Sequence, residues 1–386
     1  MCAHNQTPLR RRTSRQERSQ RRSAHTWGGA LNSPDLLQLT ADLIDVPSES
    51  FEEAVLADLV EARLEQLDWL RVVRVGDNVV ARTELGRKHR LLLGGHLDTV
   101  PANGNATARV DGDVLWGLGA ADMKSGLAVM LTLAEALRAP AVDVTYLFYA
   151  REEVAFEHSG LRELFAHDPK LCEADLALLG EPTSGKVEAG CQGTMRFRIE
   201  IAGARAHTAR PWMGRNSIHR LGSVLRILEN YEAREPVIDG CTYREALQAV
   251  FVDGGVAGNV VPDMATVTVN HRVAPDRTLE QARDHIRELF APELSDDDRL
   301  IFVDEAPPAP PGLFNPLLAA LIGRYDLQVL AKLGWTDVSF FHQHGIPAAN
   351  FGPGESTLAH TADERVERAA VEACYELLRR LLSDGL

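Results

Sequence analysis

Short apolar runs alternate with amphipathic stretches over most of this chain, and this pattern narrows the fold more than any other feature. Val79–Thr83, Leu91–Gly95, Val144–Ala150 and Leu176–Leu179 are apolar enough to be buried sheet strands. Between and around them lie helical patterns at Pro34–Asp45, with Ser33 as its N-cap, at Phe51–Leu67 and at Lys124–Arg138. Leu127, Met130, Leu131 and Leu137 fall on or near one face of the last of these. Strands that alternate with helices predict an α/β three-layer sandwich with a mostly parallel sheet.

The periodicity changes after Gly193. Met195–Ala202 and Ala265–Val273 alternate in period two, as half-exposed antiparallel strands do, and Val250–Asp253 is similar. Asn216–Glu229 and Leu279–Phe290 read as helices. A small α+β domain is therefore expected at 193–305, inserted into a catalytic layer made of 33–192 and 306–386. The Pro-rich stretch Ala306–Gly312 marks the return, and the chain ends in a helix expected over Glu364–Leu382.

Charge separates the two ends of the chain. Residues 1–25 carry seven arginines against Glu17, so this segment is +6 and the remainder is −14 − 6 = −20. A strongly acidic body argues against nucleic acid as a partner. The basic head has no apolar core of the kind a secretory signal needs, and 1–32 is read as a disordered extension. No run of about 20 apolar residues exists to span a membrane. The five cysteines are scattered without a CxxC pair, which suits a reducing cytoplasm.

Chemistry-bearing residues fall where the apolar runs stop. His96 and Asp98 close Leu91–Gly95 and point the same way, because side chains alternate along a strand. Asp98 is placed to orient the His96 ring, directly or through a metal shell. Asp122 precedes the helix at Lys124, where an acid also serves as an ordinary cap. Glu152 and Glu153 end a core strand, where one can ligate a metal while its neighbour acts as a base. Glu181 follows Leu176–Leu179, and His360 precedes the last helix. Each has a plain structural reading of its own. Together they supply two imidazoles, a bridging carboxylate, two more carboxylate ligands and a spare glutamate, the donor set of two zinc ions with an activated water and a general base. His207 lies in a loop of the inserted domain and reaches a substrate only if a domain or second subunit carries it over.

These residues sit in motifs: GGHLDTVP (94–101), GLGAADMKSG (117–126), REEV (151–154), GEPT (180–183), AHTARPWMGRNSIH (206–219), GGVAGNVVPD (254–263) and AHTADERV (359–366). From about Leu36 onward the chain resembles the dinuclear zinc deacylases and exopeptidases, a family that includes succinyl-diaminopimelate desuccinylase, acetylornithine deacetylase and aminoacylase. EAGCQGTMR (188–196), GVAGNVVPD and GWTDVSFFHQHGIPAANFGPG (334–354) look most like the desuccinylases. The resemblance implies that His96 and Glu181 bind one zinc, that Glu153 and His360 bind the other, and that Asp122 bridges them, with cobalt as an alternative metal. It makes Glu152 the general base and Asp98 the support of His96. It also implies a cytoplasmic homodimer in which His207 comes from the partner subunit to meet the oxyanion, with Asn259 reaching the substrate. The implied substrate is a small N-acyl amino acid, N-succinyl-LL-2,6-diaminopimelate first. Another deacylase, a dipeptidase or a non-catalytic metal-binding paralogue are the alternatives. Two departures bear on the acyl group. Cys191 stands where such relatives carry a carboxylate-holding arginine, and Gly334-Trp335-Thr336-Asp337 replaces a Gly-Thr-Ser-Asp run. Arg210 and Arg272 are the expected replacements, since a guanidinium offers carboxylate a two-pronged fork.

Overall fold

The computed structural model describes residues 35–385, so the basic head 1–32 and the Ser33 cap lie outside the described residues. The first described helix, Leu36–Ile44, is capped by the Asp35 side chain, which accepts from the Gln38 N–H at 2.9 Å.

Eight strands build the main sheet: β1 (Arg71–Val75), β2 (Asn78–Arg82), β3 (Arg90–His96), β6 (Asp143–Tyr149), β7 (Leu176–Leu179), β8 (Val187–Ala189), β15 (Val329–Ala331) and β16 (Ala348–Asn350). Their order is β1-β2-β6-β3-β7-β16-β8-β15. The centre is parallel, with β3 lying parallel to both β6 and β7, and β7 parallel to β16. β1–β2, β2–β6 and β16–β8 are antiparallel. Residue parity divides the core. Leu91, Leu93, Tyr146, Phe148, Leu176 and Leu178 pack beneath helices Leu36–Ile44, Ala54–Leu64, Lys124–Ala136 and Arg368–Asp384. Leu92, Leu147, Tyr149, Ala177 and Leu179 face the other way, toward Gly160–His167 and Val338–Gln343. A strand sandwiched between two helical layers must be apolar on both faces, which is why these strands read as continuous runs.

The chain leaves this sheet after β8 and returns at β15. In between it builds an antiparallel sheet from β9 (Gly193–Ala202), β12 (Ala246–Gly254), β13 (Met264–Val273) and β14 (Arg299–Ala306), ordered β12-β13-β9-β14. Met195, Phe197, Ile199, Ile201, Val267 and Val269 bury one face under helices Ser217–Glu229 and Leu279–Phe290. Arg196, Arg198, Thr268, Asn270 and Arg272 occupy the opposite face. The short strands β10 (Val237–Ile238) and β11 (Cys241–Thr242) pair with each other, and Cys241 and Tyr243 pack back into the main core.

The C-terminal segment differs in kind from expectation. The last helix begins at Arg368, not Glu364. Arg365–Glu367 is instead strand β17, which pairs with β5 (Val114–Trp116), itself paired with β4 (Arg109–Asp111). Backbone pairing to Val114–Trp116 overrides the helical preference of this Glu- and Arg-rich segment.

Candidate metal centre

The parallel centre of the sheet brings three strand ends to one edge. His96 closes β3, while Glu152 and Glu153 follow β6, and Glu181 follows β7. The backbone here is tightly packed, and a Cβ at Gly95 would run into the Met123 side chain. Asp122 enters from the loop before Lys124–Ala136, and His360 from a residue with φ +62°, a left-handed conformation that is uncommon for non-glycine residues.

These side chains converge. His96 Nε2 lies 3.1 Å from Asp122 Oδ1 and 3.8 Å from Glu181 Oε1. His360 Nε2 lies 2.8 Å from Glu153 Oε1 and 3.6 Å from Asp122 Oδ2. Asp122 thus stands between the two imidazoles. His96, Asp122 and Glu153 each offer a ligand atom within 4.8 Å of the others. Glu181 Oε1 is buried and has no hydrogen-bond partner.

Asp98 meets the His96 ring and also holds a turn. Its backbone carbonyl, not its carboxylate, makes the close contact to His96 Nδ1, at 3.0 Å against 3.6 Å. The ring can donate there, which frees Nε2 for a metal. The carboxylate is taken up by other donors: Glu152 N–H gives to Oδ1 at 2.9 Å, Glu153 N–H to Oδ2 at 3.0 Å, and the Ser50 hydroxyl to Oδ2 at 2.8 Å. Asp98 therefore holds the turn that carries both glutamates. Arg151, with φ +63°, starts that turn.

The electrostatics suit a cation. Burial pushes the Glu181 carboxyl up to about 7, and the neighbouring Asp122 adds to it. Burial and then the Glu153 charge raise Glu152 well above the carboxylate range. Burial alone would lower His96, but the Asp122 hydrogen bond and surrounding carboxylates outweigh it and hold the imidazole well above its usual value. The Glu153 hydrogen bond raises His360 to about 9. Crowded carboxylates that must borrow protons, together with an orphaned buried oxygen, form a donor set that a metal ion would relieve. Nitrogen and oxygen donors of this kind fit zinc.

Glu152, Glu153, Glu181, His360, Lys332 and Trp335 line a cavity of about 640 Å³. Arg272 lines a neighbouring cavity of about 340 Å³ that also touches Glu152 and Glu153, together with Thr194, Arg196 and Asn270. His207, Arg210 and Asn259 line neither cavity. They sit together on exposed loops of the small sheet, where Thr208 N–H donates to the Asn259 carbonyl at 3.1 Å and Ala209 N–H to His207 Nδ1 at 3.0 Å. Of the two arginines expected to replace one at Cys191, Arg272 lines a cavity and Arg210 lies apart from both cavities. Cys191 is a buried thiol raised to about 11 by that burial.

Two residues at the site carry no sequence signal of their own. Glu364 is buried, and one carboxylate oxygen accepts from both Ala121 N–H and Asp122 N–H at 3.0 Å. Lys332 is buried against Glu188, with Nζ 2.9 Å from Oε2. Only the partners reveal them, although Glu364 does lie four residues beyond His360.

A fold of this kind, with acids and imidazoles gathered at the edge of a parallel sheet, is that of a metallohydrolase. Residues 92–384 match the model of peptidase family M20/M25/M40, and the chain belongs to that family, whose members are metal-dependent hydrolases of amide bonds. It is 51% identical over 349 residues to a Mycobacterium tuberculosis protein that provisionally carries the name succinyl-diaminopimelate desuccinylase, covering 90% of this chain and 98% of that protein. It is 42% identical over 357 residues to a Corynebacterium glutamicum succinyl-diaminopimelate desuccinylase, covering 91% and 96%. Among solved structures, a Staphylococcus aureus tripeptidase superposes with a TM-score of 0.76 at 20% identity, covering 92% of this chain and 99% of that one. A Bacillus subtilis dinuclear metal binding peptidase of the M20 family gives 0.66 at 17%, covering 90% and 97%. These two likenesses establish the shared fold.

Proposed function

We propose that this protein hydrolyses N-succinyl-LL-2,6-diaminopimelate to succinate and LL-2,6-diaminopimelate, as a zinc-dependent cytoplasmic homodimer. The observation that carries the reading is the convergence of His96, Asp122, Glu153, Glu181 and His360 on a cavity walled by Glu152. The names of the relatives support the choice of substrate. The four buried cysteines among the described residues are free, in keeping with a reducing compartment.

His96 and Glu181 would hold one zinc, and Glu153 and His360 the other, with Asp122 shared; cobalt suits the same donors. Bound metal supplies Lewis acidity toward the amide carbonyl and a water made acidic enough to act near neutral pH. The chain supplies the proton traffic. Glu152, in its carboxylate form beside the bound cations, would take a proton from the attacking water and return it to the departing amine. Asp98 fixes where that carboxyl stands by gripping the Glu152 and Glu153 amides. One water is consumed, the C–N bond breaks, and acid and free amine leave.

His207 of the partner subunit would donate to the carbonyl oxygen as charge develops there. Its place outside its own chain's cavities supports this arrangement. So does edge strand β12, where Phe251 is 72% and Val252 59% exposed, an apolar edge suited to a second copy. Arg272 and Asn259 are proposed to contact the substrate.

The test is kcat/KM of zinc-loaded protein for the succinylated substrate against N-acetylornithine. A clear preference for the latter would replace this reading with that of another deacylase. Glu152→Gln should remove turnover while leaving zinc content nearly unchanged, and surviving activity would reject Glu152 as the base.

A further inference from the structure

We propose that Lys332 determines specificity by receiving the far carboxylate of a dicarboxylic acyl group, and this rests on the deacylase reading above. Lys332 directly follows the edge strand β15, which runs parallel to β8. It is 8% exposed, yet its side chain lines the same cavity as Asp122, Glu152, Glu153, Glu181 and His360. Its ammonium is fixed by Glu188 of β8, at 2.9 Å. An ammonium has three donors and Lys332 has Glu188 as its ion-pair partner, so donors remain for an anion in the cavity.

The backbone shows why the cation stands here. Lys332 N–H donates to the Ala189 carbonyl at 3.4 Å, and Gln192 N–H donates to the Lys332 carbonyl at 3.2 Å. Cys191 lies between those two partners, and its thiol contacts the Thr336 carbonyl at 3.6 Å. The turn that carries Cys191 and the 332–336 loop are therefore one packed unit.

A purely structural role explains less. A desolvated ion pair such as Lys332–Glu188 is a poor source of stability compared with apolar packing of the same volume. Bound divalent cations would more than neutralise Asp122, Glu153 and Glu181, so a lysine beside them would then face positive charge. A cation kept in that position serves an anionic ligand. One carboxylate of succinate would lie toward the metal residues and the other toward Lys332, which line the same cavity.

The experiment compares succinate with butyrate, which has the same four carbons but lacks the second carboxylate, as competing ligands of the zinc-loaded protein by calorimetry. Lys332→Met alone strands Glu188, so the paired variant K332M/E188Q is used beside it, with zinc content and melting temperature measured for both. The wild type should favour succinate, and the paired variant should lose about 10- to 100-fold of that preference, the value of a charge-assisted hydrogen bond, with butyrate affinity unchanged. Lys332→Arg should keep part of it. An unchanged succinate preference in the paired variant would overturn the proposal and shift the acyl carboxylate to Arg196 and Arg272. An equal loss for both acids would also overturn it, because Lys332 would then act through the shape of the site. Binding is read without turnover, so a protein that binds succinate through Lys332 but fails to cleave the succinylated substrate would sink the function and not this inference.

Discussion

His271 makes the small domain sensitive to acid in a way that can be calculated. It lies on β13 with its side chain turned under helix Leu279–Phe290, it has no exposed surface, and neither ring nitrogen has a partner. Burial first, and then the charges of His285, Arg277 and Arg234, lower it from 6.5 to about 4, while Glu245 and Tyr231 complete the neighbouring polar cluster. The folded protein thus keeps His271 neutral where the unfolded chain protonates it. Stability is full above the unfolded value of 6.5. It falls as pH drops from there and is fully lost below the folded value of about 4. At about 1.4 kcal/mol per unit, the whole loss is about 3 kcal/mol, with roughly 2.5 kcal/mol of it gone by about pH 4.5. The check is His271→Leu, which removes the titration and two unpaired nitrogens together. Urea unfolding of metal-free protein should find the variant at least as stable as wild type near neutral pH. Its advantage should then widen by roughly 2.5 kcal/mol between pH 7.5 and pH 4.5. Other titrating groups are common to both proteins and cancel in the difference. An advantage that stays constant across this range would refute the assignment of a neutral, unpartnered imidazole.

Two further outcomes follow from the site. Glu364→Ala leaves the buried Ala121 and Asp122 amides without their acceptor and unfastens Asp122, so zinc affinity measured against a competing chelator should fall about 10- to 100-fold; unchanged affinity would show that Asp122 is positioned without it. Stripping metal with a chelator should lower the melting temperature by roughly 5–10 °C relative to protein at 100-fold its dissociation constant, since ligation there contributes about 2.7 kcal/mol; an unmoved melt would deny the five side chains a resident metal.

The parts of the fold that were legible in the sequence are those where burial dictates composition on its own. β3, β6 and β7 had to be apolar on both faces, and β9 and β13 on one, so their periods give them away. Arg365–Glu367 was not legible, because three residues of strand owe their shape to Val114–Trp116 and to nothing local. The same division runs through the site. His96, Glu152, Glu153 and Glu181 stand out because a polar side chain at the end of a buried strand needs a reason to be there. Glu364, Lys332 and Arg196 stand out only once their neighbours are known. The place of Asp98 after its strand is legible, while its carboxylate's closer fit to the Glu152–Glu153 amides than to the His96 ring is not.

That division has a cause in the topology. Parallel strands end on the same edge, so β3, β6 and β7 deliver polar residues to one place without any long-range instruction beyond their direction. Antiparallel strands end on opposite edges, so the small sheet cannot concentrate ligands by the same means. What it can present is a face, and Thr194, Arg196, Asn270 and Arg272 occupy one beside Glu152 and Glu153. On the proposed reading the metal donors come from strand ends, and substrate charge is met by a sheet face and the β15 loop. Changes in acyl specificity should accordingly arise at Lys332, Arg196 and Arg272, with the five convergent ligands left as they are.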